Sequence, residues 1–392
     1  MVAREILAGH RAFDFVIIGA GMAGASAAYF LAQEYQGRGS VLLLEMESQP
    51  GYHTTGRSAA LYSEAYGNAP IRALTSSGRD FLINTPDGFT DTSILTRRGV
   101  MFIGREDQLS ALDEIYTSGS EHVDTMQRLT EQEVRERIPS IRPGYAAAGV
   151  LEADAMDMDV NALHQGFLRG ARHNGAELRS NAHVHSMMPN GGGWRIRTGD
   201  DEISTKIIIN AAGAWCDVIA QMAGAKPVGL TPKRRTAILF DGPPTDAFSD
   251  WPALIDADEE FYARPESGAL MGSPADETPM DPCDVQPEEL DIAIAVDRLQ
   301  QATTLEIRRI IRSWAGLRSF VADKTPVVGF DPRLEGFFWL AGQGGYGIQT
   351  APSMGRVSAV LAAGGKVPDD LKTFGVAAAD LSPARFDPGA GD

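Results

Sequence analysis

The 392-residue chain has only two cysteines, Cys216 and Cys283, and only seven histidines. Two thiols cannot build a disulfide framework, and the histidines show no metal-ligand spacing. Positive charge is also scarce: 35 Lys and Arg stand against 52 Asp and Glu, giving a formal net charge of -17. Phosphate-binding surfaces draw their affinity from clustered cations, so nucleic acid is not an expected partner. The chain does not open with a charged segment leading into a short apolar stretch and a small-residue cleavage site. A reducing cytoplasm is therefore the expected location. Fixed-period repeats and long low-complexity segments are absent from the sequence. Apolar residues are plentiful. At 43% hydrophobic and 22% charged, the chain can bury large cores in one or two closely joined domains.

One long hydrophobic run stands out: FDFVIIGAGMAGASAAYFLA, Phe13 to Ala32, whose single charge is Asp14. Its length suits a bilayer. Its spacing suits something else. FVII leads directly into Gly19, Gly21 and Gly24 in G-x-G-x-x-G order, then a helix-forming run, then the strand-like SVLLLE ending at Glu45. This is the pattern of a βαβ unit that seats a pyrophosphate on a helix N-terminus. The first glycine permits the turn, the second lets backbone approach the anion, and the third lets helix and strand pack. Glu45, about 20 residues beyond the motif, is placed to accept from ribose hydroxyls. No transmembrane span is then expected.

Short β-branched runs alternate with helical stretches along the chain, predicting an α/β or α+β architecture. EQEVRERI and VDRLQQATTLEIRRIIRSW read as helices. NAHVHSMM, GGWRIRTG and TKIIINAAGAW read as a three-strand meander, and FFWLAGQGGYGIQTAPSMGRVSA as strand, glycine turn and helix. The Ala, Pro, Asp and Gly-rich end, 377–392, reads as a loose tail.

The segment after Glu45, MESQPGYHTTGRSAALY, is a polar, small-residue loop rather than another helix. Such a loop can wrap a second phosphate and a flavin, which favours FAD over a nicotinamide dinucleotide. The residues expected against the cofactor are Gly19, Gly21, Ala23, Gly24 and Glu45, then Thr54, Thr55, Gly56, Arg57, Ser58, Ala59 and Leu61 of the loop. Val184 in the meander, Ala212 and Gly213 after it, and Gly342, Gly344, Gly345, Tyr346, Gly347 and Ile348 in the late glycine turn complete the set.

VIIGAGMAGASAAYFLA, GYHTTGRSAALY, INAAGAW, WAGLRSF and GQGGYGIQTAPSMG together resemble the FAD-dependent D-amino-acid oxidase and dehydrogenase family, most closely its bacterial D-arginine dehydrogenases. The resemblance spans Asp14 to about Ala362. It implies a Rossmann-like FAD-binding domain interleaved with an α+β substrate domain. The FAD domain would take 1–90, 150–226 and 324–376. The substrate domain would take 91–149 and 227–323, with 377–392 as the tail. It implies non-covalent FAD and hydride transfer from an amino acid to flavin N5, the imine then hydrolysing to a 2-oxo acid and ammonia.

By the same resemblance Arg235 and Arg318 match carboxylate-binding arginines, whose planar forks suit that partner. Arg234 is the rival for the role of Arg235. Tyr66 and Tyr262 match tyrosines that line the pocket, and the Gly345 carbonyl would accept from the substrate amine. Hydride transfer needs alignment and a neutral amine but no obligatory side-chain base. His53 then reads as structural or as a flavin partner. Cys216 raises the question of a covalent flavin, although a small residue packed after a strand is the simpler reading.

Val100 and Leu61 stand where the D-arginine-specific enzymes have an acid and a histidine, and Tyr346 is a further pocket candidate. An apolar side chain cannot pair a buried cation, so an amino acid with an apolar or uncharged side chain, of D configuration, is expected. Three alternatives stay open. They are a sarcosine or glycine-oxidase-like secondary-amine oxidase, a 2-hydroxy-acid dehydrogenase, and a non-catalytic flavin-binding subunit. Oxygen or a quinone would accept the electrons, the latter with peripheral membrane contact.

Overall fold

The computed structural model describes residues 10–35, 38–244 and 246–387. The hydrophobic run divides at its glycines into the strand His10–Ile18 and the helix Met22–Glu34. Among the described residues no helix is long and apolar enough to cross a membrane. The strand lies between two parallel neighbours, Val41–Leu44 and Asp201–Asn210. Both of its faces are covered, which is why its sequence reads as continuously apolar. Phe15, Ile17 and Leu43 pack against helices on one face, while Phe13, Val16, Ile18, Leu42 and Leu44 pack toward the meander on the other.

Glu177–Arg179 extends this sheet beyond Val41–Leu44. On the opposite edge Asp201–Asn210 changes partner along its length. Its first half pairs antiparallel with Trp194–Thr198, itself paired with Val184–Pro189, and its last residues pair parallel with Phe337–Ala341. Val327–Phe330 closes that edge. The covering helices Met22–Glu34 and Ala351–Ala362 approach at backbone distance: a Cβ on Gly355 would stand 2.7 Å from the Ser26 carbonyl carbon.

A nine-stranded sheet forms the second layer, drawn from residues 100–152 and 231–320. It is antiparallel except where Ala253–Asp256 runs parallel to Val100–Gly104. The sequence-drawn boundary at 149 falls inside one of its strands, Ala148–Glu152. Leu61–Tyr62, Met156–Met158 and Leu95–Arg97 make a small third sheet.

Two sequence readings are corrected. VDRLQQATTLEIRRIIRSW is not one helix: Glu289–Ala302 ends within it, and Ile310–Phe320 is a strand paired antiparallel along Thr231–Phe240. That pairing satisfies the strand's backbone groups and overrides a locally helical pattern. The end of the chain is also not loose through 387. Ala378–Leu381 and Pro383–Phe386 are helical turns, Leu381 is buried, and Asp387 and Arg385 pair with Arg333 and Asp323.

Candidate active site

A cavity extends from the glycine turn after His10–Ile18 to the face of the nine-stranded sheet. Gly19 has φ = 100°, and a Cβ there would stand 2.5 Å from the Ala211 carbonyl oxygen. A Cβ on Gly24 would stand 1.9 Å from the Gly19 carbonyl oxygen. These two glycines are required by backbone packing, and Gly24 does not reach the cavity. Gly21 does, with only the Thr55 hydroxyl near its missing Cβ, at 3.2 Å.

Several amides of the turn are already engaged. Gly19 donates to the Leu44 carbonyl at 2.8 Å, Ala20 to Glu45 Oε2 at 3.0 Å and Met22 to Thr55 Oγ1 at 3.0 Å. The amides of Gly21 and Ala23 have no partner among the described residues, and both residues line the cavity. A helix N-terminus with free amides is an anion seat. Glu45 also lines it, buried, with Oε1 taking the Glu47 amide at 3.0 Å.

The loop after Glu45 is pinned to the second sheet, so the two layers close on one space. Thr54 Oγ1 donates to the Leu317 carbonyl at 2.8 Å. Arg57 donates to the carbonyls of Val285 and Ala315 and pairs with Asp284. Thr54, Thr55, Arg57, Ser58, Ala59 and Leu61 line the cavity. So do Val184, Ala212, Gly213, Gly344, Gly345, Gly347 and Ile348.

Gly56, Gly342 and Tyr346 do not. The space of a Gly56 side chain is taken by the Gly51 carbonyl, 2.6 Å away, and Gly342, at φ = 72°, sits beside Val321. Tyr346 packs on Tyr66, ring centroids 4.9 Å apart, and does not line the cavity. His53 lines the cavity, 2.8 Å from Glu47 and packed on Trp215. Cys216 is fully buried outside it, and burial pushes its thiol far up, so it is no thiolate for covalent attachment.

At the other end the cavity is lined by Arg235, Arg318, Tyr66, Tyr262, Val100 and Leu61. Strand alternation separates the two neighbouring arginines. Arg234 is tied to Asp291 at 2.8 Å, Asp276 at 3.6 Å and Glu288, and does not line the cavity. Arg235 faces the cavity, 5.9 Å from the Tyr262 ring centre, with one bond to Glu277 at 3.2 Å.

The Arg318 guanidinium has no hydrogen bond or ion pair among the described residues. Its Nη1 occupies the space a Gly345 side chain would take, 2.9 Å from that Cβ position. Glycine at 345 thus makes room for a guanidinium. Burial opposes the charge of Arg318, but the facing groups Tyr262, Tyr66 and Glu259 keep it protonated. Burial also raises the Tyr66 and Tyr346 phenols, so both stay neutral donors.

Residues not singled out from sequence complete the wall. Trp314, whose indole donates to the Arg57 carbonyl at 3.0 Å, and Phe102 and Ile255 add apolar surface. Glu259 adds a carboxylate, on a turn where its φ is 56°. The acid-rich DADEE before Phe261 was a signal for it, but sequence could not rank those acids. In the fold Asp256 takes the amides of Asp258 and Glu260, Asp258 takes the Gln108 amide group, and Glu260 pairs with Arg105. Glu259 is left at the cavity, so its lining is not wholly apolar.

A comparison with protein families matches residues 14–361 to the FAD dependent oxidoreductase family, DAO. The chain belongs to that family. This DAO-family chain is 23% identical to the N-methyl-L-tryptophan oxidase of Salmonella dublin, covering 92% of this chain and 98% of that one. Its fold is shared with the L-proline dehydrogenase of P. horikoshii, at TM-score 0.79, 19% identity and 97% and 99% coverage. It is shared equally with the glycine oxidase of Geobacillus kaustophilus, at TM-score 0.79, 21% identity and 93% and 98% coverage. The sequence-based likeness to D-arginine dehydrogenases in particular finds no counterpart among these.

FAD is the family's cofactor, and this cavity fits it: free helix-terminal amides at one end, a small-residue seam in the middle and cations at the other.

Proposed function

We propose that this DAO-family protein oxidises the α-carbon of an amino acid bearing an apolar or uncharged side chain, and that the D enantiomer is preferred. The observation that carries the reading is Arg318, an unpaired guanidinium facing the cavity beside Tyr66 and Tyr262. A planar fork that feels the charge of Glu259 but bonds no internal acid is free for a carboxylate, and charge-assisted bonds of this kind are strong. Arg235 contributes a second positive charge that Glu277 neutralises in part.

In this reading the two arginines hold the substrate carboxylate. The Tyr66 and Tyr262 rings exclude water and their hydroxyls donate to it. The Gly345 carbonyl accepts from the amine, and Leu61 and Val100 receive the side chain, while the Glu259 charge is directed at Arg318. Non-covalent FAD supplies the two-electron acceptor for the hydride that leaves the α-carbon. The imine is then hydrolysed to a 2-oxo acid and ammonia. Strands from 91–149 and 227–323 would form the substrate side, and the remainder to 376 the cofactor side. Two free cysteines are compatible with a cytoplasmic location.

A second reading, a secondary amine such as an N-methyl amino acid, draws support from the named relatives. One experiment addresses both: anaerobic bleaching of the flavin with D- and L-amino acids, N-methyl amino acids and hydroxy acids, followed by reoxidation with air or a quinone. Reduction by D-methionine in preference to D-arginine is expected. D-Arginine as the best substrate would overturn the side-chain assignment.

A further inference from the structure

Behind the substrate end of the cavity lies a buried acid that the chemistry above leaves unused. Glu152 ends the strand Ala148–Glu152 and is 2% exposed. Its register partners are Val100 on one side and Met126 on the other. Directly opposed residues share a sheet face, and Val100 lines the cavity, so the carboxylate is directed to the cavity side.

Ser63 stands between. Its Oγ donates to Glu152 Oε2 at 2.5 Å, and the Glu64 amide donates to Oε1 at 3.1 Å. Ser63 itself lines the cavity. Gln349 fixes it from behind: Oε1 accepts the Ser63 amide at 3.3 Å, and Nε2 donates to the Ser63 carbonyl at 3.3 Å and to Thr75 Oγ1 at 2.9 Å. Ser63 thus touches both the cavity and the acid.

The acid is also able to change state. Burial raises it to about 7, opposed by the Ser63 hydroxyl and the amides of Glu64 and Ala65 and assisted by the charge of Glu64. Glu64 is the charged group that faces it, held by the Tyr62 hydroxyl at 2.7 Å, while Arg79 acts on Tyr62. Val100 and Met126 bring no charge from the flanking strands.

Oxidation of an amine requires that its ammonium first lose a proton. We propose that Ser63 and Glu152 form a relay that takes this proton from the substrate. The N–H bond breaks as its proton passes to Ser63 Oγ, and the Ser63 O–H proton passes to Glu152 Oε2. No electrons move in this step. The protonated acid then donates to Ser63, and returns the proton to water when product leaves. Glu152 acts through Ser63 and positions it; Ser63 is the member that meets substrate. The relay rests on the amine-oxidation reading.

The test compares holoenzyme wild type, Glu152→Gln and Ser63→Ala by anaerobic stopped-flow flavin reduction from pH 5.5 to 10.5. D-Methionine is the probe, or sarcosine if the secondary-amine reading holds. The wild-type rate is expected to rise with pH through about 7. Both variants are expected to lose that limb, fall about 100-fold at pH 7.5 and recover near pH 10, where the amine is neutral unaided. A merely structural role would lower the rate equally at every pH, and that result overturns the relay.

An infrared pH titration of the resting enzyme supplies a readout apart from turnover: a protonated-carboxyl band lost as pH passes about 7 and missing in Glu152→Gln. Absence of the band in wild type overturns the relay whatever the substrate. Should no amine reduce the wild-type flavin, the oxidation reading fails and the relay with it; reduction with unaltered pH profiles overturns the relay alone.

Discussion

Replacing Arg318 by methionine removes a charge that makes no internal ion pair, and this separates function from stability. Each charge-assisted hydrogen bond to a carboxylate is worth about 1.5–3 kcal/mol. Loss of a two-bond fork therefore removes about 3–6 kcal/mol, or roughly 10²- to 10⁴-fold in kcat/KM. Glu259 loses a facing cation but no hydrogen bond or ion pair is broken, and methionine fills much of the same length, so the thermal midpoint is expected to move little. Arg234→Met should behave in the opposite way. It leaves Asp291 and Asp276 without their cation, a loss of about 3–5 kcal/mol typical of a broken buried pair, while the clamp is untouched. The assays are steady-state kinetics with an amino acid and with its amide, and thermal unfolding of the same preparations. Wild-type discrimination between acid and amide should collapse in Arg318→Met. If the variant keeps its KM and its acid preference, the assignment of Arg318 is refuted.

The glycines of the turn should divide by geometry. Gly24→Ala, whose Cβ would meet backbone at 1.9 Å, is expected to prevent folding, whereas Gly21→Ala, facing only a hydroxyl at 3.2 Å, should fold but bind FAD more weakly; expression yield and flavin content check this. Folding raises Glu152 from 4.5 to about 7, so the folded state binds the extra proton. The stability this contributes is full below pH 4.5 and is lost as pH rises to about 7, a difference of about 3 kcal/mol. Glu152→Gln should therefore gain on wild type between pH 4.5 and 8 in urea unfolding, and parallel curves would contradict it. Val100→Glu should raise the kcat/KM ratio of D-arginine to D-methionine about 100-fold by pairing the cation; an unchanged ratio in folded protein would argue against this pocket wall.

Much of the fold around the candidate site was legible because its parts are local. FVIIGAGMAG is strand, turn and anion seat within ten residues, and the glycine spacing follows from the backbone distances at Gly19 and Gly24. The arginine and tyrosine positions came from resemblance rather than from periodicity. Tyr346 does not line the cavity: a residue in a glycine turn has no periodicity to say which way it points, and its ring packs on Tyr66. Glu259 was missed because its neighbours in sequence are also acids and only three-dimensional partners leave it at the cavity; Ser63 was missed because its acid partner lies far away in sequence.

By itself the sequence determined that this chain is an acidic α/β protein with a dinucleotide seat, since local turn geometry and apolar run length need no distant partner. Tertiary structure decided what lies over that seat. Arg234 and Arg235 are adjacent and chemically identical, yet alternation on one strand commits the first to Asp276 and Asp291 and turns the second to the cavity. Glu152 becomes a near-neutral acid only because folding buries it against a hydroxyl, 89 residues distant in sequence, that lines the same space.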